Sequence, residues 1–416
     1  MSFKVLFFNR SFYPDITATG QLLTELCEDL VEVYGCQVTV IAGRPLVTKD
    51  MSLSNNSRGG IIREENFKGI KILRVKNTTF NPRYFRGRIA NYLTYFFLSF
   101  IAVFKLDKPD LVVTLTDPPV IGLIGLWVSR CFNIPFIISV RDIFPEAARG
   151  LEESQNKCIN FFLRHIVRFY LKKATGIVAL GETMRKCLIE EKGVRQDKIT
   201  IIPDWADTRQ IMPVAKDNSF SLASSLSGHF VVMYAGNIGV SSSLEFVIES
   251  ARLLKDYKDI LLVFVGEGIT KDRLVALAKG YKLENIKFFP YQPKETLSQV
   301  FSSADIFIIP LKKGLTGYSV PSKIYPVMAS GRPYIACVEE ESEIVLITKK
   351  FGCGLLARPQ DYQELTEKIL ICYNNPELCL KMGENSRKAA VFFDRGVGVK
   401  KYYEIFNSLS GNEEII

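Results

Sequence analysis

Short β-branched and apolar runs alternate with longer stretches of helical period along most of this chain. In the first half the short runs are 4–9, 38–41, 70–75, 111–115, 136–140, 176–179 and 199–202. Runs of that length, bounded by turn signals, predict buried strands. Apolar residues recur with a 3.6-residue period over 21–34, 86–104, 120–131, 158–173 and 183–191, which predicts helices between the strands. The alternation is that of a doubly wound parallel sheet. The stretch from Pro45 to Gly60 is rich in Ser, Asn and Gly and predicts an exposed loop.

The alternation lapses between Asp204 and Gly228, where 219–228 has the composition of a flexible linker. It then resumes, with strands expected at 231–234, 260–265, 286–289, 305–309, 334–337 and 354–356, and one amphipathic helix over 385–408. At 416 residues the chain is too long for one ordinary core. The expected organisation is α/β: a Rossmann-like domain over 1–210, a linker over 211–228, a second Rossmann-like domain over 229–390, and a C-terminal helix over 391–416 packing back on the first domain. Each half opens with a strand that runs into a glycine-bearing turn and a helix: Lys4–Asn9 into Tyr13–Gly20, and Phe230–Ala235 into Gly236–Gly239. Such turns expose backbone N–H groups and a positive helix end, where phosphates bind. Two of them suggest domains facing a shared cleft.

Composition narrows the function classes. A hydrophobic content of 47% with 23% charged residues excludes a disordered chain. The net charge of +9 fits simple solubility, an anionic ligand or an anionic membrane. No basic run with interleaved aromatics is present, so nucleic acid is not an expected partner. The nine cysteines are scattered without a C-x-x-C pair, so no zinc or disulfide framework is expected, and the thiols fit a reducing compartment. The two histidines, His165 and His229, read as structural, and no metal centre is expected. No leader precedes the first strand at Phe3, which points to the cytoplasm. The longest uncharged apolar stretch, Ile89–Phe104, falls short of the ~20 residues that span a bilayer.

Three segments could carry chemistry. Arg141-Asp142-Ile143-Phe144-Pro145-Glu146 directly follows an apolar strand, where acidic groups face the usual ligand crevice. An N-cap aspartate with a first-turn glutamate fits equally well. Val265-Gly266-Glu267-Gly268 ends another strand: Gly266 permits close backbone approach and Glu267 can accept from hydroxyls, although a plain turn also explains the glycines. The loop Gly314–Tyr325 leads into a helix whose first turn carries Ser322 and Lys323. A lysine there opposes the macrodipole, so an anion such as a diphosphate is the expected compensation. A fourth segment, 83–105, is dense in aromatics and led by arginines. It fits an interfacial helix on an anionic bilayer, or a helix buried against the sheet.

These motifs, in this order and spacing, resemble the retaining family 4 glycosyltransferases of the GT-B fold, and among them the bacterial colanic-acid and O-antigen fucosamine transferases. The matching pieces are Phe12-Tyr13-Pro14 with Thr19-Gly20, Arg141–Glu146, Ile202–Asp207, Tyr234–Gly239, Val265–Gly268, and Val320–Tyr325 with Ala329–Pro333. The resemblance implies a nucleotide-sugar donor, expected to be a UDP-sugar, held mainly by the second domain. It implies an acceptor, expected to be a lipid-linked glycan, entering from the first domain, and no obligatory metal or other cofactor. By position it puts Thr19, Gly20, Gly236, Asn237, Gly239, Gly266, Glu267, Tyr318, Pro321 and Ser322 at the donor, Arg141 and Asp142 at the transferred sugar, and Glu146 on the acceptor side.

Departures accompany the match. Asn237 and Ser242 stand where the wider family has Arg and Lys, and Arg141 where it often has His. The family's paired glutamates fall at about Tyr318 and Pro326. The expectation is that Lys323, with Arg332, supplies the missing positive charge. A GT-B UDP-sugar epimerase and a non-catalytic nucleotide-sugar-binding relative are the alternatives. Membrane contact through 83–105 would make the enzyme peripheral on the inner face of the cytoplasmic membrane.

Overall fold

The computed structural model describes residues 2–45, 60–80, 85–151 and 156–410. Most of the expected 45–60 loop, and Arg83 and Tyr84 at the head of the aromatic segment, lie outside the described residues. Two compact units form: Met1–Pro203 with Gly398–Ile416, and Asp204–Val397.

The first unit is built on strands β1 (Lys4–Phe8), β2 (Gln37–Ala42), β3 (Ile62–Phe67), β4 (Ile70–Val75), β5 (Leu111–Thr114), β6 (Phe136–Ser139), β7 (Gly176–Ala179) and β8 (Ile199–Ile201). They lie in the order β3-β4-β2-β1-β5-β6-β7-β8, all pairs parallel except β3–β4. Strand β3 is absent from the sequence reading because it is an edge strand of Ile-Arg-Glu-Glu-Asn-Phe with little burial, and no apolar alternation marks it. The helices are α1 (Ala18–Glu32), α2 (Phe85–Val103), α3 (Gly122–Phe132), α4 (Glu146–Gly150), α5 (Lys157–Lys173) and α6 (Glu182–Glu190). Helix α1 steps from β1 to β2 in one direction; α2, α3, α5 and α6 make connections that step in the other. Right-handed crossovers therefore put α1 on one face of the sheet and those four on the opposite face.

The second unit contains α7 (Ser219–Ala223), β9 (Phe230–Ala235), α8 (Glu245–Leu253), β10 (Ile260–Val265), α9 (Lys271–Gly280), β11 (Ile286–Phe289), α10 (Leu297–Ser302), β12 (Ile306–Pro310), α11 (Ile324–Ala329), β13 (Tyr334–Cys337), α12 (Glu343–Phe351), β14 (Gly354–Ala357), α13 (Tyr362–Asn374) and α14 (Pro376–Ala390). Its six strands are all parallel, in the order β11-β10-β9-β12-β13-β14. Val232, Tyr234, Leu262 and Phe264 pack with Phe246 and Val247 of α8 and with Leu365 and Ile369 of α13 in one buried core.

The 211–228 stretch is structured and belongs to the second unit, not to a free linker. Asn218 caps α7 in a reciprocal capping box and donates from Nδ2 to the Gln299 carbonyl at 3.0 Å, while Lys216 meets Asp305 at 2.6 Å. The expected single tail helix is two. After α14 the chain extends at Asp394, whose Oδ1 accepts from Gly396 N at 2.9 Å and so caps α15 (Arg395–Ser410). On α15, Tyr402 bonds Ser139, Tyr403 stacks on Tyr34 and Phe406 packs on Phe7.

Candidate active site

Parallel strands put the loops that follow them on one rim, and both units carry their predicted motifs there. In the second unit β9 ends in Gly236 (φ 132°) and β10 in Gly266 (φ 149°) and Gly268 (φ 159°). The two turns lie backbone against backbone. Gly236 N donates to the Val265 carbonyl at 2.9 Å and Ile238 N to the Glu267 carbonyl at 2.8 Å. A Cβ at Gly266 would run into the Gly236 carbonyl oxygen, and one at Gly268 into that of Ile238. Glycine is thus required by close approach as well as by φ. Asn237 and Gly239 complete the first turn, and the Tyr234 hydroxyl donates to the Asn237 carbonyl at 2.6 Å.

Lys323 arrives at this turn from 86 positions further along than Asn237 by sequence number. Its Nζ lies 5.0 Å over the Tyr234 ring and donates to the Ser242 hydroxyl at 3.4 Å; a Cβ at Gly236 would touch its Cε at 3.4 Å. Among the described residues no carboxylate pairs with it. Lys323 thus meets the side chain at 242, one of the two positions where a family cation is missing. Pro321 and Ser322 precede it on the same loop, with Tyr318 three residues further back, where Tyr318 N bonds the Leu315 carbonyl at 3.0 Å. Helix α11, which Lys323 opens, has only six residues, so its dipole adds less than the lysine charge itself. Glu267 is half-exposed and paired through Oε1 with Lys271 at 2.7 Å. Lys271 was not singled out in the sequence; its i,i+4 spacing from Glu267 at the start of α9 was the available signal.

Arg332 does not join this group, which corrects the expectation that it assists Lys323. It precedes β13 and so lies on the amino rim, whereas Gly236, Gly266 and Lys323 follow strands. Strands of four to six residues at about 3.3 Å each separate the rims by roughly 13–20 Å. Its guanidinium is turned to the Ser302 carbonyl at 2.6 Å, and burial pushes its pKa down, opposed by Asp305.

In the first unit Gly20 sits in the first turn of α1, where a Cβ would meet Thr17 Oγ1 at 3.1 Å and the Asp15 carbonyl at 3.4 Å. Thr19 is half-buried beside it. Arg141 and Asp142 follow β6, both half-buried, and their backbone N–H groups converge on Thr116 Oγ1 at 3.0 and 3.2 Å. Strand β5 alone separates the ends of β1 and β6. Arg10, not predicted, follows β1 and forms a two-point contact with Asp117 at 2.9 and 3.4 Å, its guanidinium 5.6 Å from the Tyr92 ring centre. Burial would lower its pKa, but the charges of Asp117, Tyr92 and Asp15 and the hydrogen bond to Asp117 together outweigh that and hold it firmly charged.

Glu146, expected to face the acceptor, is instead closed off. It is buried, with Oε2 on Lys192 Nζ at 2.5 Å and Oε1 on Arg164 at 3.2 Å. Lys192 is fully buried, also donates to the Phe144 carbonyl at 2.9 Å, and has its pKa pushed down by burial. The pair fixes the 141–150 segment, and both oxygens of the buried Glu146 are held by cations. The rings of His165 and His229 bond the Phe161 and Ser227 carbonyls at 2.8 and 3.1 Å.

Two family models match. Residues 18–205 match a "Glycosyl transferase 4-like domain" and residues 219–389 match "Glycosyl transferases group 1". The chain is 25% identical to a probable glycosyltransferase, WbjE, of Pseudomonas aeruginosa, over 69% of this chain and 73% of that protein. It is 24% identical to WcaI of Escherichia coli (strain K12), a glycosyl transferase named for colanic acid biosynthesis, over 88% of this chain and 91% of WcaI. Among solved structures, Anabaena Alr3699/HepE in complex with UDP and glucose superimposes with a TM-score of 0.73 at 14% identity, covering 98% of this chain and 100% of the other. The likeness to that structure is one of fold.

Proposed function

The chain belongs to the family 4 glycosyltransferases, enzymes of the GT-B fold, and on that premise we propose that it moves an N-acetylated or 6-deoxy sugar, with retained configuration, from a UDP-sugar to a lipid-diphosphate-linked oligosaccharide in the assembly of a bacterial surface polysaccharide. The observation that carries the donor half is Lys323, poised over Tyr234 beside the Gly236 turn with no carboxylate partner among the described residues. Diphosphate oxygens would take its ammonium and the rim N–H groups. A fixed cation aimed at charge that grows on the leaving diphosphate is preorganised electrostatic catalysis, and it requires no metal. Asp142 would hold a hydroxyl of the transferred sugar, with its backbone pinned by Thr116. Arg141 would stand by the phosphate–sugar bond. Thr19 and Gly20 would let the first unit's backbone approach the diphosphate.

The HepE complex with UDP and glucose supports a uridine donor, and WcaI, named for colanic acid biosynthesis, supports a polysaccharide product. Among the described residues no helix is long and apolar enough to cross a membrane. The proposed attachment to the inner membrane face is instead peripheral, through 83–105. The test is a thermal-shift screen of UDP, GDP and their sugars, followed by transfer assays. Bound donor raises the apparent melting temperature with its concentration. The reading fails if no UDP-sugar shifts the protein, or if Lys323→Ala retains wild-type donor affinity and transfer. Donor binding without transfer to any of a panel of acceptors would favour a non-catalytic binder, and epimerisation of free donor, seen by NMR, an epimerase.

A further inference from the structure

We infer that the lipid-facing surface is three helices wide and that α5, which the sequence pattern did not mark for this role, inserts with α2 into an anionic lipid interface. This rests on the peripheral attachment proposed for 83–105.

The topology supplies the surface. Helices α2, α3 and α5 lie on the same face of the first sheet, side by side. Phe100 of α2 and Phe104, the residue just after that helix, lie 4.6 and 5.9 Å from the Trp127 ring of α3. The Tyr170 ring of α5 packs where Gly122 of α3 has no Cβ, and its hydroxyl donates to the Pro119 carbonyl at 2.7 Å. The outward side carries large apolar residues among cations. On α2 and at its end, Leu93, Phe97, Ile101 and Phe104 are exposed; on α5, Ile159, Phe161 (59%), Phe162 (65%) and Phe169 are. Single exposed phenylalanines are ordinary, but rows of them on adjoining helices mark an interaction surface. Helix α5 is fully buried only at Val167, Tyr170 and Leu171. Its first ten residues include none, and Arg164, through Glu146, ties that part to the unit.

Charge selects the occupant. The three helices hold no Asp or Glu and eight Lys or Arg, in a chain with 44 acidic residues. A second copy docked by two-fold symmetry would bring the same eight cations face to face. An anionic bilayer complements both features at once: rings enter the acyl boundary while Lys157, Arg168, Lys172 and Lys173 meet headgroups.

The experiment is co-sedimentation of the full chain with phosphatidylcholine vesicles, with and without phosphatidylglycerol, at low and high salt. Binding is expected only with the anionic lipid and is released by salt. The Phe161→Gln/Phe162→Gln variant should lower the partition coefficient about tenfold or more, at unchanged circular dichroism, because both positions are exposed and Gln is a good helix former. Trp127 is one of two tryptophans, and the other, Trp205, is buried. Brominated lipid should therefore quench the emission, and Trp127→Phe should abolish that quenching. Wild type that stays in the supernatant at low salt overturns the membrane attachment and this inference together. Wild-type binding that survives the α5 substitutions but is lost in Phe97→Gln/Phe104→Gln overturns the role of α5 alone. A dimer in light scattering that disappears in the α5 variant assigns the face to a second copy and overturns the lipid assignment.

Discussion

On the rim of the first sheet Arg10 lies against Asp117 at 2.9 Å and the Glu146 carboxylate is enclosed by Lys192 and Arg164, whereas on the rim of the second sheet Lys323 meets an aromatic face and a hydroxyl. The first arrangement neutralises charge within the protein, so its ionic groups shape the backbone. The second leaves a positive charge for a ligand to neutralise. Buried ion pairs hold geometry, and what makes a binding site is a charge whose partner is missing. This difference separates the candidate groups that shape the backbone from those that can meet a ligand.

The comparison can be broken at several points. The largest effect is expected from Lys192→Met, which leaves Glu146 buried with only the half-exposed Arg164; unfolding in urea should show a loss of about 3–5 kcal/mol. A loss under about 1 kcal/mol would mean that the pair is not structural. Next is Gly266→Ala, which drives a methyl into the Gly236 carbonyl and should cost about 3 kcal/mol of stability and weaken UDP binding in calorimetry. An unchanged midpoint would show that the two turns are not packed as described. Lys323→Ala should leave stability intact and weaken UDP binding about tenfold to hundredfold, the range for a hydrogen bond to a charged group. Arg332→Ala should do the reverse, lowering stability by about 1–3 kcal/mol with UDP affinity unchanged, because its partner is the Ser302 carbonyl. Swapped outcomes for these two would return Arg332 to the donor site.

The smallest effect is a titration. Burial, with the nearby Tyr234 and Glu267 charges, pushes the Tyr291 phenol up to about 12. The unfolded chain ionises near the ordinary value of 10, so between the two the folded protein holds the extra proton. Stability from this group is therefore full below about pH 10 and declines as pH climbs toward 12. Tyr291→Phe should flatten that decline, and the difference spectrum should lose one phenol that titrates near pH 12.

The strands and their order of chemistry were legible because apolar runs of strand length between helical periods have few other solutions. Strand β3 was not, because an exposed edge strand of Arg, Glu and Asn carries no burial signal. The glycine turns and Lys323 were legible because each breaks a local rule: positive φ in one case, a cation opening a helix in the other. Glu146 was misread because its partner Lys192 is 46 positions away and only the fold joins them. Arg332 was misread because nearness to Lys323 along the chain conceals that a residue before a strand and one after it lie on opposite rims. The boundary near 211–228 looked like a linker by composition, and contacts far along the chain, from Asn218 to Gln299, Lys216 to Asp305 and the Met212 and Val214 N–H groups to Ser298 and Ser302, make it part of the second unit.

The abutment of Gly236 and Gly266 limits how this rim can diverge. A side chain at 266 has no room while the 236 carbonyl stands where it does, and the 236 backbone cannot retreat without releasing its bond to Val265. Neither turn can be altered in isolation. Variation that retunes ligand choice is therefore channelled away from the two strand ends and into the loop on either side of Lys323, where a new specificity can arise one substitution at a time.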